Sequence, residues 1–312
     1  MSIEITVAIC TYNRADLLSG ALESVCQQTL SPDRYEIIVV DNASTDNTPG
    51  VVRAFQEKYT GHHLHRVYEA KQGTGYARNA ALNEAKGGYI AYLDDDGKAK
   101  SDWLESSITH IGGPNYPQCL GGPIKPYFTN VKLAWFKDQY ESRSWGEKER
   151  HLEYGESFSG SNMIWRKEVL LLIGGFNETM GPKGETFSIG EDTMAFRCLW
   201  RLVKDPVVIY DPAIIVFHWV PPFKMKASYY LKRAFLTGQA GVQLDKRPGL
   251  HWRVRTGFKS GGAIGLRMVQ AVIRLPRYRR WQNWIVEECA PIASKLGTCF
   301  AACGIILTMK RK

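Results

Sequence analysis

The stretch Tyr89-Ile90-Ala91-Tyr92-Leu93-Asp94-Asp95-Asp96-Gly97 joins a run of apolar residues to three consecutive aspartates and a glycine. The apolar run predicts a buried β-strand, so the carboxylates follow directly at its carboxyl end. Three adjacent like charges repel one another, which gives folding alone little reason to place them at the edge of a core. Carboxylates are ligands for Mg²⁺ and Mn²⁺. The triplet predicts a divalent-metal site, and a solvated acidic turn is the alternative.

The residues before the triplet alternate strand patterns with helix patterns. Residues 3–10 and 35–40 are apolar runs rich in β-branched residues, and a helix pattern follows each of them. Asn13 is placed to cap the first of these helices. Strands that alternate with helices predict an α/β fold with a doubly wound, mostly parallel central sheet flanked by helices. Ligands bind such sheets beyond the carboxyl ends of the strands, where the triplet lies.

Basic residues are concentrated in the last third of the chain. Residues 223–312 contain 18 Lys and Arg against 3 Asp and Glu; subtraction from the chain totals of 40 and 31 leaves 22 against 28 for residues 1–222. Pro221-Pro222 marks the change. We predict one domain over residues 1–222, which divides into residues 1–111 and 112–222, and a basic helical extension over residues 223–312.

The basic extension points to an anionic partner, either a membrane surface or nucleic acid. Residues 265–274 place apolar and basic residues on different sides of a predicted helix, as an interfacial helix does. Residues 296–309 are apolar but shorter than the ~20 residues that a spanning helix needs. We expect an anionic membrane surface as the partner and no nucleic acid. The alternative is a helix that packs on the protein itself and leaves its basic face in solvent.

The ends and cysteines of the chain bear on its compartment. The first residues lack the charged and apolar regions of a secretory signal, and the seven cysteines contain no C-x-x-C pair. We expect a cytoplasmic protein without a disulfide framework, peripheral at the cytosolic face of a membrane and not secreted.

Five polar motifs lie in a fixed order along the first two thirds of the chain. They are Val7-Ala8-Ile9-Cys10-Thr11-Tyr12-Asn13-Arg14, Ile38-Val39-Val40-Asp41-Asn42-Ala43-Ser44-Thr45-Asp46, Tyr76-Ala77-Arg78-Asn79, Tyr92-Leu93-Asp94-Asp95-Asp96 and Gly190-Glu191-Asp192-Thr193. This set, with its D-x-D pattern, resembles the motifs of family 2 glycosyltransferases of the GT-A fold. The resemblance implies an inverting, Mn²⁺- or Mg²⁺-dependent enzyme of cell-surface polysaccharide or glycoconjugate synthesis. Such an enzyme moves a sugar from a nucleoside diphosphate sugar, with UDP-sugars favoured, to a hydroxyl of a glycan or lipid-linked acceptor.

The resemblance also implies that residues 1–111 form a nucleotide-binding half and residues 112–222 an acceptor and catalytic half. It further implies roles for individual residues. The nucleotide would be bound by Thr11, Asn13, Arg14, Asp41, Arg78 and Asp94. The metal would be bound by Asp96 and His218. The sugar or acceptor pocket would include Asp95, Gly160, Asn162 and Trp135. The general base would be Asp192, with Glu191 as the next choice.

Several of these residues have a second interpretation. A tight backbone contact would also explain Gly160, and ordinary packing would also explain Trp135. Glu191 also completes a Ser188-x-x-Glu191 capping box, in which it would only stabilise the start of a helix. His218, beside an apolar strand pattern, could be a hydrogen-bonded core residue instead of a metal ligand. Asp95 is expected to point away from Asp94 and Asp96, because successive strand residues face opposite sides of a sheet.

Two other classes of function remain as alternatives. A sugar nucleotidyltransferase would also use an acidic metal site, but we expect it to carry a glycine-rich phosphate loop where this chain has Thr11-Tyr12-Asn13-Arg14. A nucleic-acid binder would use the basic extension and its aromatic residues. Arg279-Arg280-Trp281 lacks the glutamine of the Q-x-x-R-W motif found in processive synthases, which favours the addition of one sugar.

Overall fold

The computed structural model describes residues 3–112, 116–183, 186–187, 189–244, 249–307 and 309–310. These residues form two compact units. Unit 1 contains Met1–Tyr127, Glu141–Met180 and Glu191–Trp219, and unit 2 contains Phe128–Tyr140, Gly181–Gly190 and Val220–Lys312. Because unit 2 takes in two earlier segments as well as the C-terminal region, the division at residue 222 stays a prediction.

The first half of the chain alternates strands and helices. In chain order the elements are β1 (Ile5–Thr11), α1 (Ala15–Cys26), β2 (Tyr35–Asp41), α2 (Thr48–Lys58), β3 (His63–Tyr68), α3 (Thr74–Glu84), β4 (Tyr89–Asp94), β5 (Gly97–Ala99), α4 (Trp103–Ile111), β6 (Cys119–Gly121), β7 (Ile124–Tyr127), β8 (Arg150–His151), β9 (Met163–Arg166) and α5 (Lys167–Leu172).

The second half is mainly helical. Its elements are β10 (Thr186–Phe187), α6 (Glu191–Leu202), β11 (Val208–Tyr210), β12 (Val216–Trp219), α7 (Ala227–Gln243), α8 (Leu250–Arg274), α9 (Trp281–Trp284), α10 (Ala290–Ala302) and β13 (Met309–Lys310). A π-helical stretch, Ile285–Cys289, joins α9 to α10. No helix within the described ranges combines the length and the apolar character that crossing a membrane requires.

An eight-stranded sheet is the centre of unit 1. Its order is β3-β2-β1-β4-β9-β6-β11-β8, with β3, β2, β1 and β4 mutually parallel and β9 antiparallel to both of its neighbours. Alternate residues of β1 enter different cores: Ile5, Val7 and Ile9 pack on one side, and Ala8 packs on the other. Apolar runs buried on both faces are typical of parallel strands covered by helices. The predicted doubly wound α/β sheet, with a helical C-terminal region, is confirmed.

The strand register brings the polar motifs to one edge of unit 1. Cys10 of β1 lies opposite Asp94 of β4, and Thr11 lies opposite Asp41 of β2. A smaller sheet, ordered β5-β12-β7, continues from the triplet and places His218 opposite Gly97. Three separate segments therefore meet where β4 ends.

The loop after β1 corrects the predicted cap of α1. Asn13 has a positive φ of 52°, and its side-chain oxygen accepts a hydrogen bond from the Thr45 N–H at 2.7 Å. The helix begins at Ala15, whose N–H donates instead to the Asp46 carboxylate at 2.9 Å. The prediction that Asn13 caps α1 was wrong, because a carboxylate from the loop after β2 occupies that position. The two loops are thereby tied together.

Unit 2 is held by an aromatic cluster and by a close helix crossing. The cluster consists of buried side chains from several segments: Trp135, Phe136, Tyr140, Val220, Met225, Tyr230 and Ala290. Where α7 and α10 cross, a Cβ atom built on Gly238 would lie 1.9 Å from the Ser294 carbonyl oxygen, and one on Gly297 would lie 2.0 Å from that of Phe235. Only glycine fits at both positions.

The crossing generates a stability prediction. Gly238→Ala should lower the free energy of unfolding by about 1–3 kcal/mol, because backbone atoms must move apart to accept the methyl group. Gly241→Ala, in the same helix with nothing within 4 Å of the added atom, is the matched control. That control should be neutral or stabilising by ~0.5–1 kcal/mol, the usual gain from replacing a helical glycine. Thermal unfolding measured side by side checks both, and equal effects would contradict the close crossing.

Candidate active site

The three carboxylates of the triplet have different partners. Asp95 is 4% exposed and accepts hydrogen bonds from the Thr11 hydroxyl at 2.8 Å and from Arg14 at 2.7 Å. Burial raises the pKa of the Asp95 carboxyl to about 7, although the Arg14 guanidinium opposes the shift. Asp96, also buried, accepts from the other terminal nitrogen of Arg14 at 2.6 Å. Arg14 therefore bridges Asp95 and Asp96 and balances their charge.

Asp94, Asp96 and His218 form a group that could hold a metal ion. Their side-chain ligand atoms all lie within 4.8 Å of one another. His218 Nε2 lies 3.2 Å from an Asp96 oxygen and 3.5 Å from an Asp94 oxygen. His218 Nδ1 lies 3.0 Å from the Trp219 carbonyl, which can only accept, so Nδ1 carries a proton and Nε2 is the ring nitrogen that faces the two carboxylates. Two carboxylates and one imidazole fit Mn²⁺ or Mg²⁺.

Arg78 is the cation on the other side of the triplet. It is 4% exposed, makes an ion pair with Glu191 at 3.1 Å and lies 3.8 Å from an Asp94 oxygen. Its guanidinium also stacks over the Phe176 ring, 5.3 Å from the ring centre. Burial and the neighbouring Asp192 raise the pKa of Glu191 to about 7, although Arg78 opposes this. Ser188, the other half of the predicted capping box, lies outside the described residues.

Gly160 and Asp192 meet beside Arg78. The Gly160 N–H donates to an Asp192 carboxylate oxygen at 3.0 Å. A Cβ atom on Gly160 would lie 2.0 Å from an Arg78 nitrogen, so the absence of a side chain lets Arg78 pass. Asp192 is partly exposed, whereas Glu191 is buried. Of the two acids that begin α6, Asp192 is the one that a substrate can reach.

The loop that carries Phe176 was missed by the sequence reasoning. The Asn79 amide donates to the Phe176 carbonyl at 2.9 Å and accepts from the Phe176 N–H at 2.8 Å. Gly174 and Gly175 have positive φ values of 86° and 67°, which fold the chain back after α5. The glycine pair, read together with Asn79 next to Arg78, is the signal that could have identified this loop.

Three predicted site residues, Asp41, Asn162 and Trp135, are buried. Asp41 is 1% exposed, and its oxygens accept from the Ser44 N–H at 2.9 Å and from Arg66 at 2.7 Å. Asn162 is fully buried, and its amide bonds to the Trp103 indole and to the carbonyls of Pro123 and Ile214. Trp135 belongs to the aromatic cluster of unit 2 and is 6% exposed. The side chains of Asn162 and Trp135 are thus engaged in packing and do not line an open surface.

Comparisons with known proteins agree with this fold. The structure is similar to the mannosyltransferase PcManGT from Pyrobaculum calidifontis in complex with GDP-Man and Mn²⁺, at 19% identity, a TM-score of 0.65 and coverage of 96% of this chain and 87% of that one. It is also similar to S. aureus TarS 1-349 in complex with UDP-GlcNAc, at 18% identity, a TM-score of 0.55 and coverage of 80% and 70%. These likenesses confirm the predicted GT-A fold.

The sequence comparison defines the family. The sequence model of glycosyl transferase family 2 matches residues 6–170, which is more than half of the 312 residues. The chain belongs to this family and is a glycosyltransferase. It is similar to the glucosyl-dolichyl phosphate glucuronosyltransferase of Haloferax volcanii, at 24% identity over 252 residues that cover 78% of each chain.

The protonation of Glu191 gives a pH prediction. In the native state the Glu191 carboxyl, with its pKa of about 7, keeps its proton up to about pH 7, whereas in the unfolded chain a glutamate releases it near pH 4.5. The native state therefore binds more protons between these values, and its free energy of unfolding should fall as the pH rises through them. Over this pH range the free energy of unfolding of the wild type should fall by up to about 3 kcal/mol relative to that of Glu191→Gln, whose side chain cannot titrate. Urea unfolding in EDTA at several pH values checks this, and a difference that does not change with pH would contradict it.

Proposed function

We propose that this glycosyltransferase is inverting and metal-dependent, and that it moves a sugar from a nucleoside diphosphate sugar to a hydroxyl of a glycan or lipid-linked acceptor. The supporting observation is that the ligand atoms of Asp94, Asp96 and His218 lie within 4.8 Å of one another. Arg78 joins this group to the partly exposed Asp192, since it contacts Asp94 on one side and Gly160 on the other. A metal site next to an accessible base is what such a transfer needs.

In this proposal Asp96 and His218 hold the metal, and Asp94 binds either the same ion or the ribose. When bound, a divalent ion supplies positive charge that stabilises the diphosphate as it leaves. Asp94 suits a role toward the ligand because its side chain is 38% exposed, whereas that of Asp96 is 6% exposed. Asp96 is held from behind by Arg14 and offers its second oxygen toward His218.

The nucleotide lies, in this proposal, beyond the carboxyl ends of β1, β2 and β4. Parallel strands of an α/β sheet present their ligand-binding loops at that edge. The residues that surround it there are Thr11, Asn13, Arg14, Asp41 and Arg78. Asp41 accepts from Ser44 and Arg66 and keeps lone pairs that a base N–H could use. Arg14 and Arg78 provide positive charge on either side of the triplet.

The transfer itself is assigned to Asp192 as general base. Its carboxylate is oriented by the Gly160 N–H and by its own helix start, where the Thr193 N–H donates to the second oxygen at 2.7 Å. It takes the proton of the acceptor hydroxyl while that oxygen attacks the anomeric carbon. A single displacement, with the diphosphate leaving from the opposite face, inverts the configuration. Glu191 is occupied by Arg78 and acts as its positioning residue, while Gly160 borders the sugar and Asp95 stays buried behind it, held by Thr11 and Arg14.

The donor and acceptor classes rest on similar proteins. PcManGT was solved with GDP-Man and TarS with UDP-GlcNAc, and the Haloferax volcanii relative is named for glucosyl-dolichyl phosphate. We propose a UDP-sugar donor and a glycan or lipid-linked acceptor in cell-surface polysaccharide or glycoconjugate synthesis. Work at the cytosolic face of a membrane would bring the enzyme to such an acceptor.

Two substitutions separate the metal role from the base role. Asp96→Asn should abolish Mn²⁺-dependent binding of UDP-sugars, because one of the two proposed metal ligands loses its charge. Asp192→Asn should bind the donor as the wild type does but lose about 10²–10⁴-fold in turnover, the usual contribution of a general base. Calorimetry with a panel of UDP-sugars and an assay of UDP release measure the two effects.

The matched control is Asp205→Asn, which removes an exposed carboxylate of unit 1. It should change neither binding nor turnover. Undiminished donor binding by Asp96→Asn would refute the metal role, and full turnover by Asp192→Asn would refute the base role. Release of pyrophosphate from a nucleoside triphosphate and a sugar phosphate would instead identify a nucleotidyltransferase.

A further inference from the structure

The second half of α8 presents its apolar side chains to solvent. Exposed fractions of 45–68% are found for large apolar residues of α8 and of the turn that follows it: Leu266, Met268, Val269, Val272, Ile273 and Leu275. At 3.6 residues per turn they occupy about half of the helix circumference. The helix of a water-soluble domain normally turns such a face toward the core. Here the apolar face is the outer one.

The opposite side of α8 is the one that packs within unit 2. Ala271 is 3% exposed, and its carbonyl accepts a hydrogen bond from the Trp284 indole at 2.8 Å. Arg274, on the same side, pairs with Glu288 at 3.3 Å. The alternative in which this helix packs its apolar face on the protein and exposes its basic face is wrong for residues 265–274. The apolar side chains are exposed, and so is Arg267.

The charge around the apolar face favours one kind of partner. Residues 259–286 contain six Lys and Arg and no Asp or Glu. Arg267, Arg277, Arg279 and Arg280 are exposed, and the Trp281 ring is 61% exposed. Arginine and tryptophan around an apolar helix face are the composition of a helix that lies in a lipid headgroup region.

Other partners match this surface less well. A nucleic acid would neutralise the arginines but would leave the aliphatic side chains in water. A second copy of the chain would bury the aliphatic side chains but would bring like-charged arginines together. An anionic bilayer satisfies both parts, because acyl chains receive the apolar face while headgroups pair with the basic residues.

We propose that residues 266–281, the docking face, bind the protein to the surface of an anionic lipid bilayer. In the bound state α8 lies parallel to the membrane, with its apolar side roughly 5–10 Å deep at the boundary of headgroups and acyl chains. This inference gives a structural basis to the membrane partner in the proposed function, and it does not depend on the transfer chemistry. Its failure and the failure of the proposed reaction can therefore be told apart.

Vesicle flotation of the full chain tests the docking face. Vesicles of phosphatidylcholine with 30% phosphatidylserine should carry the wild type to the top of a density gradient, and pure phosphatidylcholine vesicles should carry at least ~5-fold less, because the attraction to anionic lipid is lost. The double variant Val272→Glu/Ile273→Glu should lower the bound fraction at least ~10-fold, since two charges would enter the apolar layer. Arg277→Glu/Arg279→Glu should lose the preference for anionic vesicles.

Leu172→Glu is the matched control, since Leu172 is 70% exposed but belongs to unit 1. It should float as the wild type does, and so should Asp96→Asn, which addresses only the reaction. Circular dichroism and thermal unfolding confirm that each variant folds. A blue shift of tryptophan emission on vesicle binding, lost in Trp281→Ala, is a second readout of insertion.

Three outcomes would overturn the inference. Unchanged flotation of Val272→Glu/Ile273→Glu would show that the face does not insert. A dimer in sedimentation that this variant converts to a monomer, without flotation of the wild type, would assign the face to a second copy. Oligonucleotide binding at matched salt, again without flotation, would assign the basic residues to nucleic acid.

Discussion

The concentration of negative charge at the end of β4 is the constraint on which the rest of the site depends. Asp95 and Asp96 are 4% and 5% exposed, and buried carboxylates are costly unless they are paired and hydrogen-bonded. Arg14 from the loop after β1 bridges both, and His218 from β12 faces the outer oxygens of Asp94 and Asp96. Segments distant in sequence must therefore come together for the triplet to be tolerated. The contacts that stabilise this edge of the fold are therefore also the contacts that surround the candidate metal group.

The charge balance extends from the triplet toward the start of α6 through Arg78. This residue faces Asp94 on one side and Glu191 on the other, with Phe176 beneath it. Breaking a buried pair by removing one partner leaves an uncompensated charge, which is why such a pair holds its geometry. Arg78 also accounts for the glycine at position 160, because a Cβ atom there would lie 2.0 Å from an Arg78 nitrogen. A change at Glu191 should therefore also alter the surroundings of Asp94.

The sequence predicted most where a pattern is local, and less where a contact is distant. The apolar runs of β1, β2 and β4 and the order of the polar motifs were enough for the fold and the family. The cap of α1 was not predictable, because Asp46 arrives from another loop and displaces the nearer Asn13. Likewise, Arg78 and Glu191 are separated by 113 residues. Helical periodicity shows that α8 has an apolar side, but it does not show which side packs on the protein. The side that carries Ala271 contacts Trp284, and this contact turns the apolar side outward.

In the proposed function, the carboxylates at the end of β4 hold a divalent ion against the donor diphosphate. A crystal of the protein grown with Mn²⁺ and UDP, measured at the manganese absorption edge, tests this most directly. We expect one anomalous peak bound by a carboxylate oxygen of Asp96 and by Nε2 of His218, with the diphosphate completing the coordination. A peak elsewhere, or UDP bound at this edge with Arg14 and His218 still closed on Asp96 and no manganese, would contradict it.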